Sequence, residues 1–135
     1  MTKHKIKTEQ QVEAEKQFRI QGALDLHEPQ VRELSKVVRQ AQLNIKFGER
    51  ELELFKTYEV SEFKPIEPNV GYDKRDDYAA LQKDLKLDSM ELGLELAKEK
   101  LELDIKAYEL ESAKVRVLKG GEEYYGLSDE DLLQR

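Results

Sequence analysis

The chain of 135 residues contains no cysteine. That removes disulfides, thiolate metal sites and cysteine nucleophiles, and it leaves the redox compartment open. Histidine is almost as scarce, with only His4 and His27. No acid–base or nucleophile pair assembles around either one. His4 lies in a terminal arm, and His27 lies between predicted helices, where capping or solvent contact is expected. No apolar run reaches the roughly 18 residues of a membrane span. The basic N-terminus lacks the apolar core of a signal peptide. Membrane association is therefore not expected, and the expected location is the cytoplasm or the inside of a protein assembly. Positive charge is in deficit, with 23 Lys and Arg against 29 Asp and Glu, so general nucleic-acid binding is disfavoured.

Motifs for chemistry are also missing. Gly120-Gly121 is not followed by the Gly-Lys-Ser/Thr of a phosphate loop. Carboxylates recur at i, i+4, as in Glu91, Glu95 and Glu99, but no Glu-x-x-His pair of a di-metal bundle accompanies them. The acids around Asp73, Asp76 and Asp77 lack the Gly and Glu positions of a calcium loop. No catalytic residue, cofactor or metal is expected, and the chain does not read as an enzyme.

What remains is charge and aliphatic carbon in equal measure. Charged residues make up 39% and hydrophobic residues 39%, too apolar for a disordered tail and too charged for a compact α/β enzyme. Abundant Glu, Lys and Leu at helical spacing points to long helices or a coiled coil.

The organising stretch is Asp73 to Lys119. On a wheel of 3.6 residues per turn it is apolar on two opposite sides. Leu81, Leu85, Leu92, Leu96, Leu103, Ala107 and Leu110 share one face. Leu87, Met90, Leu94, Ala97, Leu101, Ile105, Tyr108 and Val115 share the other. Between them run an acidic flank, with Asp84, Asp88, Glu91, Glu95, Glu102 and Glu109, and a mixed one. The repeats of seven and eleven are both coiled-coil periods. Local alternation such as Leu-Glu-Leu-Asp-Ile imitates a strand, but Leu, Glu, Lys and Ala favour helix and β-branched residues are few. One apolar stripe suffices for a surface helix, so two imply two layers of neighbours.

In chain order, residues 1–28 read as a basic arm and a short helix. Lys3, Lys5 and Lys7 mark the arm, a solvated terminus or a strap on an acidic partner. Thr8 and Gln11 suit a capping box. Gly22 suits the end of that helix, and Pro29 the first turn of the next. Residues 29–119 read as a long antiparallel helical hairpin, or coiled coil, turning through a loop at 61–72 where Pro65, Pro68 and Gly71 interrupt any helix. Its first arm carries a strict seam of Val31, Leu34, Val38, Ala41, Ile45, Gly48, Leu52 and Phe55. A second face of Leu43, Phe47, Leu54 and Tyr58 joins it in the C-terminal half. Residues 120–135 read as an acidic tail in which Ser128 caps a short helix. Its Tyr124, Tyr125, Leu127, Leu132 and Leu133 either fold onto the chain's own bundle or dock in a partner's groove.

Part of this pattern resembles a known family. Asp77-Tyr-Ala-Ala-Leu81 through Leu96-Ala-Lys-Glu-Lys100, then Ala107-Tyr-Glu-Leu-Glu-Ser-Ala113, resembles the helices of TolC-type outer-membrane channel proteins, as does Tyr125-Gly-Leu-Ser128 followed by Asp131-Leu-Leu133. The resemblance covers about half of the chain and implies a pair of helices in an α-barrel wall. Members of that family are several times longer, with a signal peptide and membrane strands, and their Tyr-to-Gly spacing differs.

The expectation is an all-α, non-enzymatic assembly or scaffold protein, such as a component of a ring or virion-like assembly. It would form homo-oligomers or larger protein complexes through a second apolar face. The interface candidates are Leu87, Met90, Leu94, Leu101, Ile105 and Tyr108 on the long helix, with Leu43, Phe47, Leu54 and Tyr58 on the other. A small acidic binding module or inhibitor is the alternative, and a TolC-like channel-wall helix pair a second.

Overall fold

The structure, a computed structural model, describes residues 7–58 and 75–135. Most of the basic arm and the predicted loop at 61–72 lie outside the described residues. The fold is an all-α hairpin of two long helices, α1 (Glu9–Lys56) and α2 (Arg75–Lys119), followed by a short α3 (Asp129–Gln134). At 1.5 Å per residue each long helix reaches roughly 70 Å. No strand occurs among the described residues.

α1 starts as the capping-box pattern predicts. The Gln11 amide donates to Thr8 Oγ1 at 3.2 Å, and the Thr8 amide donates to Gln11 Oε1 at 3.0 Å. The predicted break at Gly22–Pro29 does not occur. α1 is one helix of 48 residues with Pro29 in its interior. A mid-helix proline removes one backbone hydrogen bond and costs about 3 kcal/mol in isolation. Contacts on the N-terminal side of Pro29 outweigh that local preference: Ile20 and His27 are both buried. Ile20, Leu24 and His27 continue the heptad seam of Val31 and Leu34 backwards, so the packing face runs through the proline.

The chain divides into two compact units, Met1–Val38 with Leu103–Arg135, and Arg39–Glu102. In the second unit the helices run antiparallel. Glu49 pairs with Lys98 at 3.1 Å, and nearer the turn Lys83 reaches the main-chain carbonyls of Lys56 and Tyr58. Ile45, Leu52 and Ala79 are its buried apolar residues. A Cβ on Gly48 would lie 2.8 Å from Leu94 Cδ2, so this seam glycine is where the facing leucine comes closest.

In the first unit α1 also runs against the end of α2, since His27 meets Glu111 while the earlier Arg19 meets the later Glu123. α2 ends in a Schellman motif. The Glu122 amide bonds to the Val117 carbonyl at 3.1 Å and the Gly121 amide to the Leu118 carbonyl at 3.0 Å, with Gly121 at φ 83°. That conformation favours glycine, which is why Gly120-Gly121 ends the helix where the sequence suggested. A turn then places Gly126 at φ 81°, with Leu127 N–H bonded to the Tyr124 carbonyl. Ser128 caps α3 through Oγ, which accepts from the Asp131 amide at 3.2 Å. α3 lays Leu132 onto Ala113 and Val117, with Leu110, Tyr124 and Leu127 packed around them. The tail is folded onto its own chain.

Candidate functional site

The hairpin sorts its apolar faces by what the opposite helix can reach. In the second unit the α1 seam faces inward, with Ile45 and Leu52 buried and Ala41, Gly48 and Phe55 half-buried. On α2 the inward face is that of Leu87, Met90, Leu94 and Leu101, all half-buried. Ile105 and Tyr108 of the first unit are half-buried as well. From sequence these six are interface candidates, with the question of which α2 face is internal left open. In the structure Leu94 lies against Gly48, so it is the Leu94 face, not the Leu92 face, that meets α1.

The face left open on α2 is therefore the opposite one. Leu81, Leu85, Leu92 and Leu96 are between 53% and 56% exposed. On α1, Leu43, Phe47 and Leu54 are between 59% and 65% exposed, and Tyr58, two residues past the helix end, is 41% exposed, so this second face lies open. The second unit thus carries two apolar stripes on opposite sides. Seen on the wheels, the α1 stripe is edged by Arg39, Lys46 and Arg50, and the α2 stripe by Asp84, Asp88, Glu95 and Glu99. All seven charged side chains are exposed, and among the described residues none forms an ion pair.

In the first unit the polar feature is a buried tether. His27 is only 6% exposed. Its Nδ1 lies 2.8 Å from Glu111 Oε2 and its Nε2 lies 2.8 Å from the Tyr124 hydroxyl. With Glu111 ionised, the ring donates to it from Nδ1–H, and Nε2 and the Tyr124 hydroxyl share the second hydrogen bond. Lys114 completes the group, 3.1 Å from Glu111 Oε1 and 5.6 Å from the Tyr124 ring centre. Burial pushes the Glu111 carboxyl up, but the hydrogen bonds and charges of His27 and Lys114 together hold it below its ordinary value. Beside this group, Arg19 donates to Glu123 at 2.7 Å and holds that carboxyl below its ordinary value too. Arg135 pairs with Glu122.

The order hydroxyl, imidazole, carboxylate is that of a nucleophile relay. Yet the surface hollows near Arg116, Phe18 and Tyr108 are lined by none of the three groups. What the trio does is join the tail, α1 and α2. Sequence reading expected His27 in a solvated connector. The signal that would have found it is its heptad position, seven residues before Leu34 on the seam.

Of the tail residues named from sequence, Leu132 is buried, Tyr124 and Leu127 are half-buried, and Tyr125 and Leu133 stay exposed. The first three are occupied within the chain, which leaves them unavailable to a partner's groove. No described helix is long and apolar enough to cross a membrane, and no group of three or more His, Asp or Glu among the described residues is placed to hold a metal ion.

Compared with family models, curated proteins and solved structures, the chain finds no match, TolC-type channel proteins included.

Proposed function

We propose that this chain is a non-enzymatic assembly protein, a helical hairpin that associates through apolar helix faces its own fold leaves uncovered. The observation that carries this reading is the α2 stripe of Leu81, Leu85, Leu92 and Leu96, all more than half exposed along one side of one helix. Contiguous apolar surface of this kind marks interaction sites, whereas single exposed leucines need no explanation. Full burial of a leucine contributes roughly 1.5–3 kcal/mol, so covering the exposed half contributes about 1 kcal/mol each. Two four-residue stripes brought together gain on the order of 8 kcal/mol, within the estimated 4–15 kcal/mol cost of association. A single contact is then marginal, and the assembly is concentration-dependent.

Light scattering and circular dichroism over a dilution series test the reading. The expected result is a helical chain whose mass grows with concentration. A folded monomer at every concentration would refute it and favour the second reading, a small acidic module whose Asp84, Asp88 and Glu95 edge meets a basic partner.

A further inference from the structure

Resting on the reading that the open stripes are association surfaces, we propose that they bind each other: the α1 stripe of one copy packs antiparallel on the α2 stripe of the next, with Arg50 facing Asp88. Three features of the second unit support this. The first is spacing. Leu43, Phe47, Leu54 and Tyr58 follow steps of four, seven and four, and so do Leu81, Leu85, Leu92 and Leu96. Such a pattern reads the same in both directions, so one stripe fits the other when the helices run opposite ways. Setting Leu43 against Leu96 brings Phe47 to Leu92 and Leu54 to Leu85; Tyr58, two residues past the end of α1, lies outside this helical match.

The second feature is charge. Viewed from its N-terminus, each helix carries its charged row on the anticlockwise side of its stripe: on α1 Arg39, Lys46 and Arg50, followed by Glu53, whose carboxylate is paired with Lys56, and on α2 a row of acids. When two helices pack antiparallel, their anticlockwise sides meet. In the register just given, Arg39, Lys46 and Arg50 arrive at Glu99, Glu95 and Asp88. All six are exposed and without ion-pair partners among the described residues. Antiparallel pairing of like stripes would instead set acid on acid or base on base.

The third feature is closure. A pair joined through two α2 stripes leaves both α1 stripes open. Pairing α1 with α2 uses one interface type to cover both, and it propagates head to tail with every hairpin pointing the same way. It is a heterologous contact, which closes into a ring or continues as a filament. In this register Gly48 is level with Glu91 of the neighbouring copy, three residues from the Leu94 it meets within the hairpin, so successive copies are offset by about one helical turn.

The absence of cysteine makes a clean test possible. Full-length Arg50→Cys and Asp88→Cys proteins are mixed, oxidised and resolved by mass. The expected product is the mixed disulfide, about tenfold over either self-disulfide, because only that pair is brought within disulfide reach. Sedimentation accompanies it: Arg50→Asp weakens association about tenfold, and adding Asp88→Arg restores it. Predominant Asp88→Cys self-disulfides in an oligomeric protein would overturn the inference and leave association through the open stripes standing. Failure of the double charge swap to restore association would also overturn it. A wild-type chain that stays monomeric at all concentrations would remove both.

Discussion

His27 Nε2 and the Tyr124 hydroxyl lie 2.8 Å apart, which ties the tail to a helix position 97 residues earlier in the chain. The contact combines a hydrogen bond with an edge-on ring packing at 5.4 Å between centroids. Removing the ring is therefore more damaging than removing the hydroxyl. His27→Ala leaves the Glu111 carboxylate without its imidazole donor, a loss on the order of 1–3 kcal/mol. Tyr124→Phe removes one hydrogen bond but keeps the packing, about 1 kcal/mol. Amide hydrogen exchange of residues 122–134 measures both. Equal protection in wild type and His27→Ala would show that the tail is held by Leu132 alone.

Acid should loosen the same tether. The Glu111 carboxyl titrates below its ordinary value in the folded chain, held there by His27 and Lys114 against the opposing effect of burial. Ionised Glu111 then contributes stability that is fully present above the ordinary glutamate range. That stability disappears as pH falls through the depressed folded value. Tail protection in wild type is expected to drop across that acidic window. In Glu111→Gln the drop attributable to this group should vanish. A parallel decline in both proteins would place the acid sensitivity elsewhere.

Three α1 substitutions separate local backbone preference from packing. A methyl group at Gly22 meets nothing within 4 Å, so Gly22→Ala is expected to raise stability by about 0.5–1 kcal/mol. At Gly48 the new Cβ meets the far end of the Leu94 side chain at 2.8 Å, so Gly48→Ala gains the same propensity but must displace Leu94. Its net effect should fall below that of Gly22→Ala. Pro29→Ala restores a helix-interior amide and should stabilise by up to about 3 kcal/mol. Thermal unfolding followed by circular dichroism ranks the three. A destabilising Pro29→Ala would mean that the proline itself is needed to set the course of α1.

Helix type, the antiparallel hairpin and the tail's cap were legible in the sequence because each has a local cause. Leu and Ala at coiled-coil periods, Gly120-Gly121 and Ser128 act within a turn or two of themselves. The continuity of α1 through Gly22 and Pro29 was not legible, because it depends on the burial of Ile20 and on His27 meeting Glu111 and Tyr124, 84 and 97 positions away. The same distinction applies to the two faces of α2. A wheel shows that Leu92 and Leu94 lie on opposite sides, but which side turns inward depends on the opposite helix, where Leu94 meets Gly48. The tail posed a similar choice. Its apolar residues suit a groove on any surface, and Ala113, Val117 and Leu110 happen to provide one in the chain itself.

Leu92 and Leu94 provide the sharpest test of that assignment. They are two residues apart and chemically identical, so helix propensity and composition change equally when either is replaced. Leu94 is half-buried against α1 at Gly48, while Leu92 is 56% exposed on the open stripe. Leu94→Asp places a carboxylate against α1 at Gly48, where the nearby Lys98 is already paired with Glu49, and burying a poorly paired charge costs several kcal/mol. The expected outcome is loss of helical signal or a large fall in melting temperature. Leu92→Asp leaves its carboxylate in solvent beside Asp88 and Glu95, so the hairpin should keep its circular dichroism spectrum with a change of about 1 kcal/mol or less. Its effect should appear in association instead, since the charge interrupts the centre of the α2 stripe and meets the apolar Phe47 of a neighbouring copy. Sedimentation of both variants over a dilution series reads the two effects separately. If Leu92→Asp unfolded the chain and Leu94→Asp left it folded but monomeric, the faces would be assigned the wrong way round. If both stayed folded with unchanged mass, neither face would hold an assembly together.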